Sequence, residues 1–211
     1  MRYQDNAMLL AIDPGNVKSA YVLLDKISYK LVASSIVENT ELKYLMDIYD
    51  WEIEDVAIEM ITGFNMSVGQ TVFDTCVWIG RLVEKAINHS ENVVLIPRKD
   101  IKLHLCNNRR AKDKDIIAAL VDRFAPDTKN YGKGTKKDKG YFYNFKADIW
   151  SAFAVAVTYM DWQKDNRLIP KENLQFIKSI YKERKKNEKD KENFALETSG
   201  KKQKIFSIEK V

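Results

Sequence analysis

The chain has 211 residues, of which 45% are hydrophobic and 31% are charged. This length and composition suit one sizeable domain with a packed core and exclude wholesale disorder. Apolar runs of about 18 residues are missing, and Met1–Met8 lacks the apolar segment of a secretion signal, so we expect neither a membrane span nor secretion. Cys76 and Cys106 lie far apart without zinc-ribbon spacing, which suits the reducing cytoplasm.

The net charge of +5 is unevenly distributed. Residues 1–97 hold 14 acidic and 7 basic side chains, whereas residues 98–146 hold 6 acidic and 14 basic ones. This division predicts carboxylates that work close to a polyanion, although a solvated charged surface is the simpler alternative. Because the end of the chain is rich in Lys and Glu, we expect one domain over residues 1–163 and a basic, charged extension, helical or disordered, over residues 164–211.

Hydrophobic periodicity and turn residues predict three strands followed by alternating helices and strands. Hairpin spacing first and β-α-β alternation afterwards predict an α/β fold, a mixed five-stranded sheet with helices on both faces. A basic, aromatic-rich loop over residues 127–145 precedes the last helix. The predicted elements are strands at Met8–Ile12, Ser19–Leu24, Ser28–Val37, Val56–Ile58 and Asn92–Pro97, helices at Thr40–Tyr49, Val68–Asn88, Asp113–Phe124 and Ala147–Trp162, and a helical turn at Ile101–Leu105. The apolar stripe predicted for the second helix comprises Val72, Cys76, Ile79, Val83 and Ile87.

Three carboxylates stand at the ends of apolar elements. Asp13 follows the first strand, Glu59 follows Val56–Ile58, and Asp148 begins the last apolar helix. Asp13 could simply initiate a turn and Asp148 could cap its helix, whereas a Glu that ends a buried strand has no capping role. Acids that converge at one sheet edge repel one another unless cations neutralise them, and oxygen ligands suit Mg²⁺ or Mn²⁺. Paired ions of this kind clamp a phosphodiester under in-line attack.

Other chemistries have less support in the sequence. The chain has two histidines and no G-x-S-x-G motif, so a hydrolase triad is not indicated. Gly132–Thr135 lacks the spacing of a phosphate-binding loop, and we expect no nucleotide cofactor. The actin-like ATPases also begin with an Asp-x-Gly turn after a strand, but they need a second phosphate loop and normally a much longer chain.

Leu10–Gly15 resembles the opening motif of the RuvC-type Holliday junction resolvases, which are members of the RNase H-like nuclease superfamily. Val56–Glu59 is similar to their second acidic strand, and Lys146–Ala156 is similar to their closing helix. The phage-like branch resembles this chain in its aromatic, Lys-rich loop before that helix. The resemblance spans roughly residues 7 to 162. It implies an RNase H-like fold and a metal-dependent endonuclease that resolves Holliday junctions or related branched DNA.

The same resemblance implies a site with two Mg²⁺ or Mn²⁺ ions. The metal ligands that it implies are Asp13, Glu59 and Asp148, and the lysines that it places near the scissile phosphate are Lys102 and Lys112, with Lys114 an equal fit for the second. One position departs from the family, which commonly has a second metal ligand three residues along the last helix, where this chain has Ser151. Three acids then suffice, or Asp138 or Asp55 substitutes, or catalysis is impaired.

Basic and aromatic residues indicate nucleic acid as the partner. Lys and Arg side chains bind phosphates and make binding dependent on salt. The resemblance implies an aromatic wedge near Phe64, and an exposed Phe stacks on an unpaired base. Burial of Phe64 beneath the next helix is the alternative to such stacking. The predicted DNA-binding residues are Phe64, Arg98, Lys99, Arg109, Arg110, Lys114, Lys136, Lys137 and Lys146.

A four-way junction has two-fold symmetry, so two matched cuts call for a homodimer. We expect the helix Val68–Asn88 to form the contact because Val77 and Trp78 broaden its apolar stripe. The alternative to an endonuclease is an RNase H-like module that binds branched DNA but cuts weakly or not at all, since Ser151 replaces an acid. The expected location is the cytoplasm of a bacterial or phage-infected host cell.

Overall fold

The computed structural model describes residues 7–48, 53–62, 68–90, 92–165, 177 and 179–191. The chain divides into two compact units, Met1–Pro170 and Lys171–Val211. In the second unit, residues 179–191 are helical, and Arg184 forms an ion pair with Glu188 one turn later. None of the helices in these ranges has the length and apolar content needed to cross a bilayer.

A mixed sheet of five strands is the framework of the first unit. Its strands are β1 (Met8–Asp13), β2 (Lys18–Asp25), β3 (Leu31–Glu38), β4 (Ile53–Met60) and β5 (Asn92–Pro97), in the spatial order β3-β2-β1-β4-β5. The helices are α1 (Asn39–Ile48), α2 (Gln70–Ala86), α3 (Arg98–Cys106), α4 (Asp113–Phe124) and α5 (Ala147–Lys164). β1 pairs antiparallel with β2 and parallel with β4, which in turn pairs parallel with β5. The predicted α/β fold with a mixed five-stranded sheet is confirmed.

Helix α5 lies at the centre of the core. Of its 18 residues 12 are buried, since the helix is apolar on every side and therefore suits the interior rather than the surface. It packs on β1, β2 and β4, and it helps to cover the nearly continuous apolar runs of β1 and β2. Asp148 lies in the first turn of α5. It therefore belongs to the same compact unit as the ends of β1 and β4.

The third strand begins later than predicted. Its predicted start at Ser28 is wrong, because the carboxylate of Asp25 accepts hydrogen bonds from the backbone N–H groups of Ile27 (3.0 Å) and Ser28 (2.7 Å). Tyr29 then takes a left-handed conformation with φ of 58°. These contacts form a turn, so extended backbone starts only at Leu31.

Helix α3 is longer than the predicted turn. It begins directly after β5 at Arg98 and ends at Asn107, which has a left-handed φ of 51°, a common helix end. Only Ile101 is buried in it, so hydrophobic periodicity carried little signal for its true length. The consequence is that Arg98 projects from a helix beginning beside the end of β4.

The buried face of α2 differs from the predicted stripe. Cys76 is exposed, so its assignment to the core is wrong. The residues that α2 buries are Thr75, Ile79, Leu82, Val83 and Ala86. This face is rotated towards Leu82 and Ala86, two positions that the predicted stripe left out.

Candidate active site

Asp13 ends β1 at a tight turn that only glycine fits. A Cβ on Gly15 would lie 2.3 Å from the carbonyl oxygen of Lys18, far inside van der Waals contact. The Asn39 side-chain amide donates to the Gly15 carbonyl (2.9 Å), and the Ser19 hydroxyl donates to Asn39 Oδ1 (2.5 Å). Ser19 and Asn39 are both buried, so this polar network fixes the backbone that carries Asp13. Neither Ser19 nor Asn39 was among the predicted site residues.

Glu59 lies beside Asp13 because of the parallel register of their strands. Ile12 pairs with Ile58, so the next residue of each strand, Asp13 and Glu59, reaches the same edge of the sheet. On its other side, Glu59 pairs with Ile96 of β5. The predicted convergence of the first two acidic motifs follows from this register.

Arg98 connects Glu59 to a further carboxylate. Its Nη1 donates to Glu59 Oε2 (2.8 Å), and its Nη2 donates to Asp113 Oδ1 (2.7 Å). Asp113 is the first residue of α4 and was not among the predicted site residues. Its only sequence signal is an acid in a first helical turn, which is common in helices without any site.

The first turn of α5 completes the cluster. Asp148 is exposed at the rim, and its negative charge acts on Asp13. The Ser151 side chain, one turn further along, lies near enough to Asp13 to lower the pKa of its carboxyl. A cavity of about 140 Å³ lies here, lined by Arg98, Asp113, Ile116, Ile117, Ala147, Asp148, Trp150 and Ser151.

The electrostatics of the cluster favour an added cation. The pKa of Asp13 is raised to about 8, chiefly by burial and then by the charges of Glu59 and Asp148, against the opposing effects of Arg98 and Ser151. Burial also raises the pKa of Glu59, and Arg98 opposes that rise. A raised carboxyl pKa indicates that the surroundings supply too little positive charge to stabilise the carboxylate. A cation placed here would therefore stabilise the ionised forms of Asp13 and Glu59.

The donor set agrees with a hard divalent ion in charge and in ligand type, since it consists of carboxylate oxygens. Across the part of the chain that the structure describes, however, no three His, Cys, Asp or Glu side chains are grouped so that they could hold a metal ion. The cation that contacts Glu59 is the guanidinium of Arg98. Ion binding by Asp13, Glu59 and Asp148 therefore requires local side-chain movement.

The two predicted catalytic lysines lie at different depths. Lys102, on α3, is half-buried, and its charge lowers the pKa of Glu59, which shows that it lies near this carboxylate. Lys112 is exposed and immediately precedes α4, where its backbone N–H donates to Asp115 Oδ2 (2.7 Å). Lys102 is thus associated with the cluster, whereas the backbone of Lys112 contributes to the start of a helix.

The predicted DNA-binding residues fall into four groups. Arg98 differs from the others, because its guanidinium is paired with carboxylates. Lys99 is half-buried, and Phe64 lies outside the described residues. The exposed group comprises Arg109, Arg110, Lys114, Lys136, Lys137 and Lys146.

The lysine-rich loop before α5 is held by aromatic side chains. Phe142 and Phe145 are fully buried, and Phe142 packs on Trp150 with ring centroids 4.5 Å apart. The Tyr141 hydroxyl donates to the Tyr29 carbonyl (2.6 Å). These rings anchor the loop to the core. The lysines of the loop therefore project from a backbone that is held in place.

Neither suggested substitute for a fourth acid joins the cluster. Asp55 is buried near the start of β4, away from Glu59, and forms an ion pair with Lys26. Asp138 lies in the loop turn, where its backbone N–H donates to the Thr135 hydroxyl (3.0 Å). The suggestion that Asp55 takes the place of the missing fourth acid is wrong, because Lys26 neutralises that carboxylate.

No family model matches the chain, and a search of curated proteins finds no significant match. Solved structures do match it. The structure of T. thermophilus RuvC in complex with a Holliday junction substrate is 12% identical, with a TM-score of 0.56 over 76% of this chain and 97% of that one. A second Thermus thermophilus RuvC structure is 13% identical, with a TM-score of 0.55 and the same coverage. The yeast mitochondrial Holliday junction resolvase Ydc2 is 12% identical, with a TM-score of 0.44 over 83% and 86% of the two chains. At these identities the likeness to RuvC shows a shared RNase H-like fold.

Proposed function

We propose that this protein is a divalent-metal-dependent endonuclease that cuts Holliday junctions or related branched DNA. The observation that carries the proposal is the position of Asp13, Glu59 and Asp148 around one sheet edge, within a fold shared with a RuvC that was solved on a Holliday junction. The raised pKa of Asp13 supports it, because a sheltered carboxyl whose pKa two other acids raise further suits a cation site better than a turn.

In this proposal Asp13, Glu59 and Asp148 hold the ions, which are two Mg²⁺ or Mn²⁺. Such ions supply Lewis-acid polarisation of the phosphate and lower the pKa of the attacking water. The chain itself provides the orientation, since the Ser19–Asn39 network fixes the turn that follows Asp13. The nearby Ser151 side chain favours the ionised form of Asp13. Lys102 places a positive charge near Glu59, where the scissile phosphate would approach.

The basic surface would bind the DNA backbone. Exposed cations lie before α4 and in the anchored loop, which immediately precedes the first turn of α5 with Asp148. We assign phosphate contacts to Lys99, Arg109, Arg110, Lys112, Lys114, Lys136, Lys137 and Lys146, and a base-stacking role to Phe64. Residues 1–163 form the nuclease domain in this proposal, and the basic extension over residues 164–211 adds affinity for DNA.

We also propose a homodimer formed through α2. Phe73 and Val77 lie one turn apart on this helix and are 56% and 62% exposed. Neighbouring apolar side chains exposed on one helix face suit a two-fold contact, which would present two sites to a two-fold symmetric junction. The Lys-rich loop also supports the proposal that this chain is related to the phage-like branch. We propose the cytoplasm as its place of action.

A second candidate function is a branched-DNA-binding module that cuts weakly or not at all. Ser151 in place of an acid favours it, as does the contact of Arg98 with Glu59. Such a module would share the fold and the basic surface, so only a cleavage assay separates the two functions.

The test is a cleavage assay of the purified chain on a synthetic four-way junction, a flap and a linear duplex. Each substrate is incubated with Mg²⁺, with Mn²⁺ or with EDTA. An endonuclease of the proposed kind cuts the branched substrates in either metal and leaves the linear duplex intact. Binding of the junction without cutting in any metal would support the binding module instead.

A further inference from the structure

The guanidinium of Arg98 lies within the acidic cluster that the proposed function assigns to metal. Its side chain is 20% exposed, that of its partner Glu59 is 14% exposed, and that of Asp113 is 75% exposed. The two contacts, at 2.8 and 2.7 Å, come from different nitrogens of the same planar group. Arg98 therefore spans the cluster from a sheltered carboxylate at a strand end to an open carboxylate at a helix start.

This arrangement gives the cluster a permanent cation. An arginine stays charged at any physiological pH, so it neutralises Glu59 continuously, whereas a lysine in a sheltered site loses its proton more easily. The positive charge of Arg98 also lowers the pKa of both Asp13 and Glu59. Glu59 is also one of the three carboxylates that would hold the metal in the proposed site, so Arg98 and the metal ion would share it.

We propose that Arg98 is a positioning residue that acts as an internal counter-cation for Glu59 and competes with the divalent ion for this carboxylate. The inference rests on the proposed metal site. Before metal binds, Arg98 pairs with Glu59 and holds its carboxylate in place. When metal binds, Arg98 releases Glu59 but keeps its contact with Asp113, which holds the guanidinium at the rim of the site where a DNA phosphate would meet it.

Asp113 makes this exchange specific to arginine. A guanidinium reaches two carboxylates at once because its nitrogens form a planar fork, whereas an ammonium is a single point charge. Replacement by lysine therefore preserves the charge but loses the simultaneous contacts. A comparison of arginine with lysine at position 98 therefore separates the effect of the two simultaneous contacts from the effect of the positive charge.

The experiment measures Mn²⁺ affinity of the full chain by isothermal titration calorimetry without DNA. The variants are Arg98→Gln, Arg98→Lys and, as a control, Lys30→Gln, which removes an exposed cation outside the site. We expect Mn²⁺ to bind about tenfold tighter to Arg98→Gln and about threefold tighter to Arg98→Lys, since each loosens the competitor for Glu59. Lys30→Gln should bind Mn²⁺ as the parent does.

Thermal unfolding provides the second readout. In EDTA, Arg98→Gln should unfold at a lower temperature than the parent, because Glu59 and Asp113 lose their cation, and saturating Mn²⁺ should raise its Tm more than that of the parent. A structural role alone would lower the Tm without tightening Mn²⁺ binding. If Arg98→Gln does not fold, the comparison of Arg98→Lys with the parent decides the question.

Three results would overturn the inference. If the parent binds Mn²⁺ and Arg98→Gln binds it equally or more weakly, Arg98 does not compete and the proposed nuclease stands. If Arg98→Lys matches the parent while Arg98→Gln binds tighter, charge alone matters and the fork does not. If neither the parent nor any variant binds Mn²⁺, both this inference and the metal-dependent function are wrong.

Discussion

At the scale of single residues, the chemistry of the site depends on how far each carboxylate is removed from water. Asp13 is sheltered at a strand end and Asp148 is exposed at a helix start, yet both belong to one cluster. Burial makes the charged form of Asp13 costly unless a cation is supplied. The positive charges nearby, Arg98 and Lys102, come from the single helix α3.

The pKa of Asp13 predicts how stability changes with pH. In the folded protein this pKa is raised to about 8 from a usual value of 3.8, so between these pH values the folded chain holds a proton that the unfolded chain has lost. Stability without metal therefore falls as pH rises from 4 to 8. Asp13→Asn removes this loss of stability. At pH 8 we expect the free energy of unfolding of the variant to be about 2 kcal/mol higher than that of the parent.

Urea denaturation in EDTA at pH 5 and pH 8 measures the effect. The gain for Asp13→Asn should be smaller at pH 5 than at pH 8. The matched control is Asp122→Asn, which changes an exposed acid on α4 and should behave as the parent does at both pH values. A variant Asp13→Asn that is less stable than the parent at pH 8 would show that the carboxyl is stabilised as an anion.

At the scale of secondary-structure elements, three helices meet at Asp161 of α5. Arg123 of α4 donates two hydrogen bonds to its carboxylate (2.6 and 2.7 Å), and His104 Nε2 of α3 lies 2.7 Å from it. Although burial raises the pKa of Asp161, the hydrogen bonds from Arg123 and His104 outweigh burial and lower it to about 2. This contact ties the helices that carry Arg98, Asp113 and Asp148 into one support.

Loss of this support should destabilise the fold. Asp161→Asn is expected to lower the free energy of unfolding at pH 7 by about 2 kcal/mol, because charged hydrogen bonds to Arg123 are lost. Since the folded pKa is depressed, the contribution is complete above about pH 4 and disappears as pH falls towards 2. Urea denaturation should show the gap to the parent closing over that range. Glu84→Gln, an exposed change on α2, is the control, and an unchanged gap at pH 2 would contradict the assignment.

The anchored loop carries a prediction about DNA binding. Lys136→Ala should weaken junction binding and reduce the slope of log K against log salt by about 0.9, because one phosphate contact is lost. The fold should be unaffected, since Lys136 is exposed while the loop is held by Phe142 and Phe145. Fluorescence anisotropy at several salt concentrations measures the slope.

Lys30→Ala is the matched control for the loop. Lys30 is exposed, and its backbone carbonyl accepts a hydrogen bond from the N–H group of Asp25. Asp25 lies at the end of the β1–β2 pair opposite to Asp13. Lys30→Ala should therefore leave the slope unchanged. Equal effects of Lys136→Ala and Lys30→Ala would mean that the DNA responds to total charge rather than to the loop.

The elements that sequence patterns predict well are those with strong apolar periodicity or clear turns. β5 (Asn92–Pro97) and α4 (Asp113–Phe124) have the predicted bounds, because each is flanked by charged or turn-forming residues. The patterns failed where a side chain acts on the backbone, as at Asp25, and where a helix has one buried residue, as α3 has. The three acids were predictable from their positions at element ends, whereas the contact of Arg98 with Asp113 depends on tertiary structure.

At the scale of the whole molecule, the proposed action on a symmetric substrate needs two copies of the site. The apolar residues exposed on α2 are the proposed contact between copies, and they are separate in sequence from the acidic cluster. An isologous contact uses the same helix from each copy, so one substitution alters the interface twice. Dimer formation and metal chemistry are therefore separable by mutation.

Val77→Glu should dissociate the dimer. A charge placed on an apolar two-fold contact is buried twice and faces its own copy, so we expect the dissociation constant to rise at least about a hundredfold. Sedimentation velocity measures the oligomeric state. Ile27→Glu places the same charge at another exposed apolar position, in the turn after β2, and should leave the dimer intact. A parent protein that sediments as a monomer at all concentrations would contradict the proposed contact.

The most direct test of the central claim compares the parent with Asp148→Asn on one four-way junction, measuring binding in EDTA and cutting in Mg²⁺. Asp148→Asn keeps the size of the side chain and removes one negative charge from the cluster, and Asp148 is exposed, so the fold should persist. We predict that junction affinity without metal holds or rises, because repulsion of phosphate decreases, while cutting falls about a hundredfold or more. Cutting by Asp148→Asn at the parent rate would contradict a nuclease site built from Asp13, Glu59 and Asp148.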